Sequence, residues 1–259
     1  MTVKTIVELK EVTKIYEGKV MHRALNRLNF EATEGEFVAV MGPSGSGKTT
    51  LLNLISSIDL PTYGRLTIDG IEPELLSENK LALFRRRNLG FVFQEINLLN
   101  MLTVEENIVL PLTLDGLPIN EMERRVSVLS KRLGLTEFLD KRPDELSGGQ
   151  AQRTAIGRAL IHQPKIILAD EPTGNLDSKS AKEVLELLSE INKTEKTTVI
   201  MVTHDPIAAS YCDRVLFIKD GEFFNEIYKD ERRQTFFQRI LNVLSLLGGH
   251  HDIPSVRLP

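Results

Sequence analysis

The run Gly42-Pro43-Ser44-Gly45-Ser46-Gly47-Lys48-Thr49 matches G-x-x-x-x-G-K-[ST] at every fixed position. Glycines let a backbone wrap closely around phosphate oxygens. The amides from Gly45 to Thr49, with Thr50 beside them, would converge on a polyphosphate at the start of a helix, where the dipole favours anions. Lys48 adds a point charge for the β- and γ-phosphates, and the Thr49 hydroxyl can ligate Mg²⁺. The same loop fails as a G-x-G-x-x-G dinucleotide fingerprint, because the third glycine would fall on Thr50.

A second group is the apolar run Ile166-Ile167-Leu168-Ala169 ending in Asp170-Glu171. Such a strand buries its body and delivers the acids at its carboxyl end, where open α/β sheets bind ligands. Asp170 is placed to hold Mg²⁺ and Glu171 to take a proton from an attacking water, a contribution of about 10²–10⁴-fold for a positioned base. By itself the pair also reads as a helix N-cap or a surface turn. A third group is Leu146-Ser147-Gly148-Gly149-Gln150. Ser147-x-x-Gln150 reads as a helix capping box. Two adjacent glycines, however, cost helix stability unless a close backbone approach needs them. Small residues at a helix start also make an anion site, and a second such site needs a second ligand or a second copy of the chain.

These groups require elements that hold them. Phe37–Met41 is an apolar run bounded by turn residues, as a buried strand is. The glycine loop follows it, and then an apolar-periodic stretch through Leu51, Leu52, Leu54, Ile55 and Ile58, giving strand, loop, helix. Strands are expected near Arg65–Ile68 and Leu89–Phe93. Residues 95–165, with helical spacing at Glu121–Leu133 and Gln150–Ile161, read as a mostly helical insertion. Alternation then resumes: strand Ile166–Ala169, helix around Ser180–Ile191, strand Thr198–Val202, helix Ile207–Tyr211, strand Val215–Ile218. That order implies a parallel sheet with helices on both faces. The tail at 236–247 sets Phe237, Ile240, Leu241, Leu244 and Leu247 on one face, for core docking or for a membrane surface or partner. His250-His251 reads as a frayed tail rather than a metal site, since no ligand partners lie at the right spacing.

Taken together, the chain resembles the ATP-binding subunit of an ABC transporter over roughly residues 5–227. Leu146–Gln150 matches the LSGGQ signature in full. The resemblance implies a P-loop NTPase α/β core with a mixed sheet and helices on both faces, an N-terminal antiparallel β region, and a helical subdomain carrying the signature. It implies one ATPase domain over 1–230, its helical subdomain at about 95–165, and a C-terminal amphipathic helix and tail at 231–259. In the family the signature caps the γ-phosphate held by the opposite subunit, so a second copy of this chain is the implied partner, with ATP and Mg²⁺ between the two. Tyr16 resembles the aromatic that stacks on adenine, and reads also as a core tyrosine. Gln94 resembles the glutamine that touches Mg²⁺ and the attacking water. Asp177, in Asn175-Leu176-Asp177, resembles the loop that crosses the dimer interface, and reads also as an N-cap. His204 resembles the switch histidine that contacts the γ-phosphate. Ala151 and Gly157 depart from the commoner residues of the signature helix.

Within the family, Leu51–Asp59 and Ala169–Asp177 resemble the lipoprotein-release and macrolide-export group. Val202–Cys212 and Arg233–Gln238 resemble the bacitracin-resistance (Bce-type) ATPase. That likeness implies a large membrane permease, gripped through 95–145, peptide antibiotics that target cell-wall lipid intermediates, and often a sensor histidine kinase. A lipoprotein-release or macrolide-export ATPase, or a cargo-free ABC ATPase in cell division or signalling, stays open beside it.

Composition sets the outer bounds. The chain has 259 residues, 41% hydrophobic and 26% charged, as ordinary folded domains do. The net charge of −4 argues against a nucleic-acid binder, and Arg85-Arg86-Arg87 reads as a solvated helix face. The single cysteine, Cys212, rules out an intramolecular disulfide framework and suits a reducing compartment. No run reaches the roughly 18 apolar residues of a membrane span, and the first residues lack the apolar core of a secretory signal. The expected place is the cytoplasmic face of the cell membrane, peripheral through the permease.

Overall fold

The computed structural model describes residues 4–18 and 21–248; the His250-His251 pair lies outside the described residues. In chain order the elements are β1 (Thr5–Tyr16), β2 (His22–Thr33), β3 (Phe37–Met41), α1 (Lys48–Ile55), β4 (Tyr63–Ile68), α2 (Glu78–Asn88), β5 (Leu89–Val92), α3 (Val104–Leu114), α4 (Ile119–Leu133), α5 (Gly148–Leu160), β6 (Ile166–Asp170), α6 (Ser178–Glu195), β7 (Thr198–Val202), α7 (Pro206–Ala209), β8 (Arg214–Lys219), β9 (Glu222–Tyr228) and α8 (Arg233–Gly248).

The strands form two sheets. A three-stranded antiparallel sheet has the order β2-β1-β4, and a six-stranded sheet has the order β5-β6-β7-β3-β8-β9. The first five strands of the larger sheet run parallel; β9 pairs antiparallel with β8. The mixed sheet and the N-terminal antiparallel region are those expected.

Both faces of the larger sheet are buried, which is why β3, β6 and β7 read as unbroken apolar runs rather than alternating ones. Phe37, Ala39 and Met41 pack on one side, with α3 to α8. Val38 and Val40 pack on the other, against α1 and the antiparallel sheet. Helix α1 is therefore enclosed between the two sheets, with Leu51, Leu52, Leu54 and Ile55 buried.

Four details differ from the sequence reading. Helix α1 ends at Ile55, and Ile58 is 61% exposed in the turn beyond it. Helix α2 and strand β9 carry no clear apolar period, because α2 buries Phe84 alone and β9 buries Ile227 alone. Arg87 is exposed as expected, but the other two arginines of α2 are not on a solvated face: Arg85 donates to the Ser57 carbonyl at 2.8 Å, and Arg86 reaches the Leu114 carbonyl at 2.7 Å and Asp115 at 2.9 Å. They tie α2 to the ends of α1 and α3. The tail helix docks into the core as expected, but its buried stripe is Phe236, Ile240, Val243 and Leu247, with Phe237, Leu241 and Leu244 at its margins.

Candidate active site

The glycine loop leaves the carboxyl end of β3, Asp170 ends β6, and His204 follows β7. These three strands are neighbours in the order β6-β7-β3. Their register sets Asp170 opposite Val202 and Val202 opposite Val40. At about 4.8 Å between strands, residues far apart in sequence emerge side by side at one sheet edge.

In the loop, Gly47 adopts φ of 100° immediately before α1, and a Cβ there would lie 2.5 Å from the Ala24 carbonyl oxygen. Only glycine fits both demands. Gly47 caps α1 without a side chain. Among the described residues the backbone N–H groups of Gly47, Lys48, Thr49 and Thr50 find no acceptor in the chain. They are the unsatisfied donors of a helix start, pointing outward with the positive end of the dipole. Pro43, Ser44 and Gly45 are exposed at the loop tip. The Ser46 hydroxyl is buried without a partner. Lys48 lies across the loop, its ammonium donating to the carbonyls of Gly42 at 2.9 Å and Pro43 at 2.8 Å. Burial lowers its affinity for a proton, and the Glu171 and Asp170 carboxylates work against that. These donors fit a polyphosphate.

The acids face the loop. Burial, and then the neighbouring Glu171 carboxylate, pushes the Asp170 carboxyl above the usual carboxylate range, with Lys48 opposing. Glu171 has φ of 44°, a left-handed backbone rare for a side chain of this kind. It is held by its N–H on the Val202 carbonyl at 2.9 Å and by the Gly174 N–H on its own carbonyl at 3.0 Å. Strain of this sort, of order 1–3 kcal/mol, clusters where a side chain must be aimed. His204 Nδ1 lies 2.8 Å from Glu171 Oε2, and the His204 side chain is 68% exposed. Among the described residues no three His, Cys, Asp or Glu side chains form a metal cage. The Thr49 hydroxyl, the Asp170 carboxylate and the Gln94 amide oxygen are hard oxygen donors. That set fits Mg²⁺, which is held by one or two carboxylates together with phosphate oxygens.

Gln94 packs on the turn after Glu171: a Cβ on Gly174 would lie 2.9 Å from its Nε2, and the Asn175 amide donates to its carbonyl at 3.0 Å. Asp177 caps α6, accepting from the N–H groups of Lys179 at 3.0 Å and Ser180 at 3.1 Å. The Ser180 hydrogen bonds hold its carboxyl below the ordinary value. Tyr16 is 37% exposed at the end of β1, so it is not a core tyrosine.

The signature residues start α5. The Ser147 hydroxyl accepts from the Gln150 N–H at 3.3 Å, and Gln150 Oε1 accepts from the Ser147 N–H at 2.8 Å, closing the capping box. The adjacent glycines have a packing reason. A Cβ on Gly148 would meet Leu176 at 3.3 Å, and one on Gly149 would meet the Ser180 hydroxyl at 2.9 Å. Gly157, on the same helix, leaves room for Leu133 and Ile108. The signature thus rests on Leu176 and Ser180 at the start of α6. Among the described residues no hydrogen bond or ion pair joins residues 147–150 to the loop at 42–50.

A family model described as ABC transporter matches residues 25–174. The ABC transporter ATP-binding protein YxdL of Bacillus subtilis is 56% identical over 254 residues, 98% of this chain and 99% of that protein. The bacitracin export ATP-binding protein BceA of Halalkalibacterium halodurans is 49% identical over 246 residues, 94% of this chain and 97% of that protein. Among solved structures, the dimer of the ATP-binding cassette MJ0796 of Methanocaldococcus jannaschii, in a post-hydrolysis state bound to ADP and Pi, superposes with a TM-score of 0.80. It is 43% identical and covers 88% of this chain and 100% of that one.

Proposed function

The chain belongs to the ABC transporter family as an ATP-binding, ATP-hydrolysing subunit, and from that premise we propose how its residues divide the work and which transporter it serves. Two copies close head to tail on two ATP molecules. In each site the N–H groups of residues 45–50 and the Lys48 ammonium of one copy bind the triphosphate. Ser147, Gly148, Gly149 and Gln150 of the other copy cap the γ-phosphate, and Asp177 lies near the shared face. Thr49, Asp170 and Gln94 would hold Mg²⁺, which supplies positive charge to the β- and γ-phosphate oxygens. Glu171 accepts the proton of the attacking water, and His204, whose Nδ1 lies 2.8 Å from Glu171 Oε2, orients that carboxylate and faces the γ-phosphate.

One observation carries the two-copy reading: a single chain has both a phosphate loop and a signature helix start, and no hydrogen bond or ion pair joins them among the described residues. Complementation tests it. Lys48→Ala loses nucleotide binding, and Ser147→Arg keeps it but blocks turnover. A mixture of the two recovers activity, because one of its two composite sites is intact. No recovery in verified mixed dimers sinks the reading.

The chain powers a large membrane permease that confers resistance to bacitracin-like peptide antibiotics directed at cell-wall lipid intermediates. The 49% identity to a bacitracin export ATP-binding protein along nearly the whole chain supports this. One ATPase domain spans 1–230, its helical part grips the permease, and a terminal helix and tail lie beyond it. No helix among the described residues is long and apolar enough to cross a membrane, so the permease would hold the chain at the cytoplasmic face. A pull-down from membranes with tagged Glu171→Gln and Mg-ATP tests the partner. One large permease, with or without a sensor histidine kinase, supports the proposal. A small permease set carrying lipoprotein, or no membrane protein at all, overturns it.

A further inference from the structure

The Tyr16 ring is held by a lysine that has no phosphate chemistry. Lys14 precedes it by two residues on β1, and so shares its face of the strand. The Lys14 ammonium lies over the Tyr16 ring, 5.0 Å from the centroid. The same ammonium pairs with the Asp59 carboxylate and donates to the Leu60 carbonyl at 2.9 Å. Its side chain is only 12% exposed, unusual for lysine. Burial pushes the Asp59 carboxyl up, but the hydrogen bonds from Lys14 and from the Leu60 N–H outweigh it and keep Asp59 below the ordinary carboxylate value.

Asp59 is itself anchored to the helix that starts at the phosphate loop. The N–H groups of Ile58 and Asp59 both donate to the Asn53 carbonyl at 3.1 Å, folding the chain back along α1. The next residues are stapled to β1: the Thr62 N–H donates to the Thr13 carbonyl at 2.9 Å, and the Ile15 N–H to the Thr62 hydroxyl at 3.0 Å. The position of the Tyr16 ring is therefore referenced to α1, and through α1 to the phosphate loop. A partly buried ion pair contributes little net stability once its desolvation is counted. What it does supply is geometry.

We propose that Lys14 and Asp59 are positioning residues for base recognition: Lys14 covers one face of the Tyr16 ring, Asp59 holds the Lys14 ammonium there, and a purine base stacks on the remaining face at a set distance from the phosphate loop. This rests on the reading of Tyr16 as the base-stacking residue. The cation draws electron density from the ring, and the clamp removes the rotamer freedom that an unheld tyrosine would lose on stacking. The ring is thus made ready for a base before any nucleotide arrives.

The test compares calorimetric affinities for ATP and for inorganic tripolyphosphate, which has the phosphates but no base. Lys14→Met and Asp59→Asn are each expected to lower the ATP-to-tripolyphosphate affinity ratio about 3- to 10-fold, the scale of one newly mobile side chain, with tripolyphosphate binding unchanged. Tyr16→Phe, which keeps the ring under Lys14, leaves the ratio near that of the parent. In a Tyr16→Ala background Asp59→Asn has no further effect. Equal loss for both ligands would mean that the pair only supports the fold, and overturns the proposal. If Tyr16→Ala lowers the ratio while the Lys14 and Asp59 variants do not, stacking stands and positioning is overturned. If Tyr16→Ala leaves the ratio unchanged, the stacking reading falls and the clamp with it.

Discussion

His204 Nδ1 lies 2.8 Å from Glu171 Oε2, joining the residue after the end of β6 to the loop after β7. Glu171 reaches this contact from a left-handed backbone at φ of 44°, braced on the Val202 carbonyl. The contact couples the proposed base to the sheet strand that stands between it and the phosphate loop.

Glu171→Gln keeps the size and hydrogen-bonding capacity needed for that contact and removes the basicity. Turnover is expected to fall about 10²–10⁴-fold while ATP binding persists. Gel filtration with ATP should then show an accumulated dimer. Full turnover would remove Glu171 as the base.

Gly149→Ala is expected to push the signature helix away from α6, because its Cβ would lie 2.9 Å from the Ser180 hydroxyl and 3.0 Å from the Ser180 Cβ. Turnover drops and ATP binding to the phosphate loop does not. Adding Ser180→Gly removes both atoms and should restore part of the turnover. Without that rescue, packing is not the reason for the glycine.

Phe236→Ala removes a ring that is 0% exposed where α8 meets the core. Truncating a buried phenylalanine costs about 3–5 kcal/mol, and the urea midpoint should fall accordingly. A midpoint within error of the parent would show that α8 is not docked in solution.

Glu121 on α4 accepts from Arg124 at 2.9 Å and Arg125 at 2.8 Å. The Arg124 and then the Arg125 hydrogen bonds hold its carboxyl at about 2, against an ordinary 4.5. A depressed carboxyl adds stability above its unfolded pKa and loses it as pH falls toward the folded one. The denaturation midpoints of the parent and Glu121→Gln should therefore differ at neutral pH and converge between 4.5 and about 2. The difference is small, since the pair is solvent-screened. A gap that stays constant across that window would count against the pairing.

Much of the site was legible because its chemistry is local. The phosphate loop declares itself in eight consecutive residues, Ser147 and Gln150 in a capping box, and Asp177 as a cap two and three residues before the groups it binds. Strands buried on both faces are plain apolar runs. Elements with one buried side chain, such as α2 and β9, have no period to detect. The centre of the α8 stripe shifted by one residue because Phe236 and Phe237 are adjacent, and only the surface they pack on chooses between them.

By itself the sequence determined the residue types at the site, the strand and helix that carry each, and the family. Only the tertiary structure decided that Asp170, Val202 and Val40 lie level, that the signature glycines make room for Leu176 and Ser180, and that Lys14, paired with Asp59, lies over the Tyr16 ring. The physical reason is range. Spacing along a chain reports the few residues within a turn or a strand, whereas strand order, register and close approach depend on segments far apart in sequence that meet only when the core is packed.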